Sequence, residues 1–241
     1  MDRFYLAPGD WGEMRLTGEE AHHCLRVMRK GMGDPVLVFD GEGRWAEGVI
    51  DLVEGGEPWV RVSREGRDEP ARPKIGLCVA VPKGKNMDLI VQKAVELGVS
   101  EVQPLVTERT VVRLDRKNPA KKRDKWQRVA LEACKQCGQN LLPVVREPAE
   151  FRTWLADRDA GVPGLVASLA TGTREFRDEL QRFEKTPEAL EMLVGPEGDF
   201  SGEETEAALA AGFRPVTLGK IVLRVETAAI YCVGALRFWW G

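Results

Sequence analysis

From Lys74 to the end of the chain, short apolar runs alternate with longer helical patterns, and this alternation restricts the fold more than any other feature. Residues 75–81 read as a strand, 87–97 as a helix closed by Gly98, 102–105 as a strand, and 121–136 as a long amphipathic helix closed by Gly138. The series continues with a strand at 165–169, a helix at 174–183, a strand at 190–194, a helix at 203–211 ended by Gly212, and a strand at 216–218. An apolar helix over 228–240 closes the chain. Strands that each lead into a helix pair in parallel, so the segment predicts an α/β domain: a mostly parallel sheet with helices on both faces.

Two of these strands run into glycines. Residues 190–194 lead to Gly195-Pro196-Glu197-Gly198, and 216–218 lead to Leu218-Gly219 and on to Leu223-Arg224-Val225-Glu226-Thr227-Ala228. Taken singly, each of these glycines reads as a tight turn. In open α/β sheets, however, ligands bind outside the carboxyl ends of neighbouring strands, where glycine lets them approach the backbone. Two such ends about one βα unit apart predict a shared pocket. Arg224 and Glu226 flank the start of the last helix, with Thr227 placed to cap it. An ion pair bracing the loop is one role for Arg224; steadying an anionic ligand by bidentate hydrogen bonds is the other.

Before residue 65 the pattern is short and β-like, with runs at 36–39, 45–50 and 59–62 separated by Asp40-Gly41-Glu42-Gly43 and Gly55-Gly56. One helix interrupts it, capped by Thr17 and running through His22, Leu25 and Met28 to about Arg29. These elements predict a small β-barrel. Residues 64–73, rich in charge and carrying Pro70 and Pro73, have the character of a linker.

Charge and cysteine usage narrow the function classes. The net charge of −3 hides an asymmetry: residues 109–128 hold nine basic residues against Asp115 and Asp124, giving that segment +7 and the remainder −10. Local docking on a polyanion and a solvated helix face both fit such a segment. No run is long and apolar enough to span a bilayer and residues 1–12 carry no leader pattern, so a cytoplasmic protein with no membrane partner is expected. Five cysteines are scattered, and only Cys134 and Cys137 form a CxxC. With His22 and His23 adjacent and distant from that pair, no metal site is expected.

The ordered motifs resemble the RsmE family, ribosomal RNA small subunit methyltransferases of the SPOUT superfamily. The resemblance runs almost end to end: His23-Cys24-Leu25-Arg26-Val27-Met28-Arg29 followed by Gly33-Asp34, then Phe39-Asp40-Gly41; Gln92-Lys93-Ala94-Val95-Glu96-Leu97-Gly98-Val99; Pro104; Thr107-Glu108-Arg109; Glu132-Ala133, Gln136 and Pro143; and the two glycine motifs. Some positions depart from it. Asp199 stands where a third glycine usually follows GPEG, and Ile221 where an arginine commonly follows Leu-Gly-x. Lys135, Cys137 and Gln139 replace an expected glutamate, serine and arginine.

What the resemblance implies is a PUA-like β-barrel RNA-binding domain over residues 1–70, and a SPOUT-type α/β trefoil-knot methyltransferase domain over 74–241. It further implies a homodimer, S-adenosylmethionine as methyl donor, and methylation of uridine N3 in 16S ribosomal RNA of the small subunit. By the same resemblance the donor is held by Leu193, Val194, Gly195, Pro196, Glu197, Gly198, Leu218, Gly219, Leu223, Thr227 and Ala228, with Ser168, Leu169 and Gly172 as a third wall. Arg224, Glu226 and Glu197 are the candidate catalytic groups. Arg3, His23, Arg26 and Arg29 on the barrel, and Arg109, Arg113, Lys121, Lys122 and Arg123 in the basic segment, are candidates for RNA docking. The apolar helix at 87–97 and Trp239-Trp240 read as core or dimer interface rather than base-stacking platforms. Two alternatives share the fold: an inactive ribosome assembly factor, and a methyltransferase for another RNA such as tRNA. A dinucleotide enzyme is disfavoured, since Lys83-Gly84-Lys85 stands where GxGxxG would be needed.

Overall fold

In a computed structural model, which describes residues 1–110, 119–170 and 172–241, the period-two pattern before residue 65 forms a four-stranded sheet. Strand β1 (Asp2–Tyr5) is followed by a short helix α1 (Gly18–His22) and then by β2 (Pro35–Phe39), β3 (Arg44–Glu54) and β4 (Glu57–Arg67). Their order is β1-β2-β3-β4, with β1 parallel to β2 and the remaining pairs antiparallel. Phe4, Leu16, Val36, Val38, Ala46 and Ile50 fill the core on one face. The sheet bends where register slips between Glu47 and Gly48, and only glycine fits there because a Cβ at 48 would collide with the Arg61 carbonyl.

This unit comprises residues 1–70 together with 131–142. Arg3 ties the two stretches, donating to Asn140 Oδ1 at 2.5 Å and to the Gln139 carbonyl at 3.2 Å. Asn140 in turn donates to Asp68 Oδ2 at 2.8 Å. Lys135, only 9% exposed, pairs with both Glu20 and Glu132.

Three expectations for this region need correction. Strand β4 continues to Arg67, so residues 64–67 are sheet rather than linker. The predicted helix is not uniformly α: after His22 it widens into a π-helical turn, His23–Val27, and Thr17 occupies the N-cap without a hydroxyl bond to the first turn. Strand β1 was not foreseen, because it buries Phe4 alone.

The second unit, residues 71–130 with 143–241, follows the alternation. In chain order it holds β5 (Lys74–Ala80), α2 (Asn86–Glu96), β6 (Glu101–Val106), the first part of α3 (Pro119–Cys137), β7 (Val144–Val145), β8 (Ala149–Glu150), α4 (Phe151–Asp157) and β9 (Gly164–Ala167). Then come β10 (Arg174–Glu175), α5 (Phe176–Leu180), β11 (Ala189–Val194), α6 (Gly202–Ala210), β12 (Phe213–Thr217) and α7 (Val225–Trp240). The sheet is parallel throughout, in the order β10-β12-β9-β11-β5-β6-β7, with β8 also paired to β6. Strand β11 therefore fills a slot between β9 and β5, and β12 a slot between β10 and β9.

Register sorts the side chains by face. Cys78, Val166 and Leu193 align across β5, β9 and β11 and pack with Phe151, Phe200, Ala208 and Phe213 from the α4 and α6 side. Helices α2 and α7 pack on each other, and Arg237 of α7 donates to the Gly98 carbonyl beyond the end of α2 at 2.6 Å. Near the amino ends of β9 and β11, Arg158 pairs with Glu191 at 2.7 Å, donates to the Val162 and Ala211 carbonyls, and lies 4.5 Å over the Phe213 ring.

The helix expected at 174–183 is instead an edge strand of two residues followed by five helical ones. Its organiser is Glu179, 2% exposed, which pairs with Arg174 at 3.0 Å, Arg182 at 3.1 Å and Arg214 at 2.9 Å. The last helix starts at Val225 rather than 228, so Thr227 lies inside its first turn and does not cap it.

Candidate functional site

Because β12, β9 and β11 are neighbours, the loops that leave their carboxyl ends converge on one cleft of about 260 Å³. Ala167, Ser168 and Leu169 line it from β9, residues 194–199 from β11, and Leu218, Gly219, Ile221, Val222 and Leu223 from β12. The start of α7 closes it with Arg224, Val225 and Ala228. Helix α7 is 16 residues long and Arg224, at its N-cap, makes no side-chain cap, so the positive end of the helix dipole borders the cleft.

The glycines act differently from one another. A Cβ on Gly195 would stand 3.0 Å from the Phe200 ring, so a side chain there would require that ring to shift. Gly198 (φ +89°) and Gly219 (φ +112°) adopt left-handed backbone, and a Cβ on either would meet open space. The turn is closed by Asp199 N–H donating to the Pro196 carbonyl at 3.0 Å.

Asp199 itself is one of three non-glycine residues with positive φ among the described residues, at +69°. Its Oδ2 accepts from Leu169 N–H at 2.9 Å and its Oδ1 from Phe200 N–H at 2.8 Å, so it joins the β9 and β11 walls. Arg109, in the loop after β6, donates to the Gly198 carbonyl and, at 3.4 Å, to that of Asp199. That loop is anchored in turn by Glu204, 4% exposed, whose Oε1 accepts from Glu108 N–H at 2.8 Å. Glu204 Oε2 accepts from Ser201 N–H at 3.0 Å, completing a capping box with Ser201 at the start of α6.

Of the residues expected to hold a donor, the cleft brings together Ser168, Leu169, Val194, Gly195, Pro196, Glu197, Gly198, Leu218, Gly219, Leu223 and Ala228. Leu193 is fully buried in the core, while Gly172 and Thr227 are exposed and do not line the cleft. Arg224 and Glu197 line it, are exposed, and their side chains have no hydrogen-bond or ion-pair partner among the described residues. The loop-bracing ion pair considered for Arg224 is not found among the described residues. Glu226 is half-buried in the first turn of α7 and does not line the cleft.

Ala167, Asp199, Ile221 and Val222 were not picked out as cleft residues from the sequence. The signal for Asp199 was its place in the third-glycine position of a glycine turn, where aspartate is among the few residues that tolerate positive φ.

The docking candidates have varied surroundings. On the N-terminal unit Arg26 and Arg29 are exposed and unpaired among the described residues, whereas Arg3 is engaged with residues 139 and 140 and stacks 4.9 Å over Phe39. His23 is half-buried against the Phe4 ring. On the second unit Arg123 is neutralised by Asp124 and Glu147, and Lys122 lies 5.9 Å over Trp126. Lys121 is exposed, and Arg113 falls outside the described residues.

Burial pushes the Cys24 thiol up to about 11 and Cys134 to about 12, the opposite of an activated nucleophile. Among the described residues no group of three or more His, Cys, Asp or Glu gathers as a metal ion would require, and no helix is long and apolar enough to cross a membrane.

Comparison with known proteins gives a consistent answer. An RNA methyltransferase domain model matches residues 69–237, and an RNA methyltransferase PUA domain model matches residues 16–62. The ribosomal RNA small subunit methyltransferase E of a Synechocystis strain is 35% identical over 88% of this chain and 69% of its own length. That of Bacillus subtilis is 30% identical over 92% of this chain and 89% of its own length. The crystal structure of the Neisseria gonorrhoeae protein of the same name, bound to S-adenosylmethionine, superposes with a TM-score of 0.87 at 30% identity, covering 100% of this chain and 98% of that one.

Proposed function

The chain belongs to the ribosomal RNA small subunit methyltransferase E family, and from that premise we propose that it transfers a methyl group from S-adenosylmethionine to N3 of a uridine in 16S ribosomal RNA of the small subunit. The observation that carries the proposal is the cleft at three adjacent strand ends, whose walls fit the donor. Apolar Leu169, Val194, Leu218, Leu223 and Ala228 suit a purine ring, and backbone groups at Gly195 and Gly219 suit its edge and the ribose. When bound, S-adenosylmethionine supplies a methyl group activated on a sulfonium.

The residues of this chain contribute position and charge. Methyl transfer is an in-line displacement, for which holding the two reacting atoms in contact supplies most of the rate. Arg224, unpaired at the cleft among the described residues, offers a guanidinium fork to the uracil carbonyl oxygens or a flanking phosphate. Transfer to N3 requires loss of the imide proton. Glu197 is the carboxylate of the cleft suited to receive it, because both oxygens of Asp199 already accept backbone N–H bonds. A pH–rate profile unaltered by Glu197→Gln would remove it from this role.

RNA docking is assigned to both units, through Arg26 and Arg29 on the N-terminal one and Lys121 and Lys122 on the other. Homodimerisation is supported by exposed apolar side chains on and beside α7: Ile221 (79%), Val222 (71%), Tyr231 (49%) and Phe238 (90%). The strand order, with β11 and β12 each entering a slot between strands laid down earlier, supports the trefoil thread that the family implies. A cytoplasmic location follows from the proposed substrate.

The test is incubation with labelled S-adenosylmethionine and small ribosomal subunits from a methylation-deficient strain, followed by nucleotide mapping. Label on uridine N3 is the expected result. Donor binding without transfer to the subunit would point to another RNA, and no donor binding would overturn the enzymatic reading.

A further inference from the structure

We infer that Asp199 is a positioning residue that fastens two walls of the donor cleft together, and that in this chain the fastening sets donor affinity. The inference rests on the methyltransferase reading of that cleft. Three observations carry it. First, Asp199 sits in left-handed backbone at φ +69°, a conformation that costs an ordinary side chain free energy and that glycine adopts freely. Second, its carboxylate spans the gap between loops, one oxygen on the Leu169 N–H at 2.9 Å and the other on the Phe200 N–H at 2.8 Å. Third, the peptide that carries it is held from behind by Arg109, which donates to the carbonyls of both Gly198 and Asp199.

The Leu169 contact matters most. Ser168 is fixed by its own N–H, which donates to the Val216 carbonyl at 3.0 Å, but the next residue has left the sheet and is 57% exposed. Asp199 Oδ2 is the acceptor found for the Leu169 N–H, and so the loop after β9 is held against the loop after β11 by one carboxylate. A glycine at 199 would relieve the backbone and lose that tie. The free protein would then have to order the β9 wall when the donor arrives, and affinity would fall by that ordering cost.

The experiment compares Asp199→Gly and Asp199→Asn with the unaltered protein. Calorimetry measures S-adenosylmethionine binding, steady-state kinetics on small subunits gives KM and kcat, and amide exchange follows Leu169. Glycine fits the backbone, so the thermal midpoint of Asp199→Gly should be close to that of the unaltered protein. Its donor Kd and KM should nevertheless rise about tenfold, the scale of one charge-assisted hydrogen bond, with kcat changed less than threefold. Leu169 N–H should lose its exchange protection. Asparagine tolerates positive φ and keeps one acceptor oxygen, so it should rescue part of the affinity. A purely structural role would lower the midpoint and leave Kd alone. Unchanged Kd in Asp199→Gly, with the unaltered protein binding the donor normally, overturns the inference. Failure of the unaltered protein to bind the donor would overturn the methyltransferase reading instead.

Discussion

Gly195→Ala isolates the role of the wall after β11, because the residue does not have positive φ and the change acts through volume alone. The added methyl would stand 3.0 and 3.1 Å from two carbons of the Phe200 ring and 3.2 Å from Asp199 Oδ1. Phe200 cannot swing away freely: it is 5% exposed, its ring centre lies 5.3 Å from that of Phe151, and it belongs to the core shared by α4, α6 and the sheet. Overpacking of this size in a closed core costs about 1–3 kcal/mol. For a chain of this length each kcal/mol lowers Tm by about 3 °C, so a loss of several degrees is expected in a scanning-calorimetry trace.

The same displacement pushes against the Asp199 carboxylate, so donor affinity should fall together with Tm. Phe200→Leu in the same chain supplies the control. Alone it removes ring contacts and costs about 1–2 kcal/mol, but combined with Gly195→Ala it makes room for the methyl, and the two losses should be less than additive. If Gly195→Ala melted at the Tm of the unaltered protein and bound the donor equally well, the tightness of this wall would not constrain the site and the steric argument would fail.

Other consequences are as direct. Glu179→Gln should destabilise the chain by about 1–3 kcal/mol in denaturant titration, since it leaves three arginines facing one another; the cost stays below that of a fully buried pair because each guanidinium is partly exposed. Burial holds the Glu191 carboxyl above its usual range against the opposing pull of Arg158, so the folded chain binds that proton more tightly than the unfolded one. Its stabilising contribution is complete below the unfolded carboxyl's value and is lost as pH rises through the folded one, so the stability difference between the unaltered protein and Glu191→Gln should shrink as pH rises across that window in thermal melts. RNA affinity should fall steeply with salt, and Arg26→Ala should reduce the slope of log affinity against log salt by about 0.7 if that arginine meets a single-stranded phosphate; an unchanged slope would remove it from the interface.

How far the sequence carried these conclusions depended on the range of the interaction involved. Every strand of the second unit that buries both faces was legible, because runs such as Leu190-Glu191-Met192-Leu193-Val194 satisfy a local pattern that their packing then uses. The two-residue strands β7, β8 and β10 were not, since each is defined by its neighbour and not by its own residues. The 174–183 segment was misread as one helix for a related reason. Its spacing suits a helix, but Glu179 gathers Arg174 from the edge strand and Arg214 from β12, and that long-range charge cluster overrides the local preference.

The cleft shows the same division within a single site. The glycine loops were visible because glycine at a strand end has few purposes, and the strand order then places the ends of β9, β11 and β12 side by side. Asp199 was visible only as a departure from a pattern. What it does comes from a backbone angle and from an N–H thirty positions away, neither of which a residue type announces. The capping box falls between these cases: Ser201-x-x-Glu204 is a readable signature of a helix start, yet the second oxygen of Glu204 also holds the loop that carries Arg109 to the back of the glycine turn. A local helix signal thus fixes, through one shared carboxylate, the Arg109 brace on the cleft wall, and under the proposed function Glu204→Ala should weaken donor binding as well as the helix it caps, whereas Ser201→Ala should weaken the helix alone.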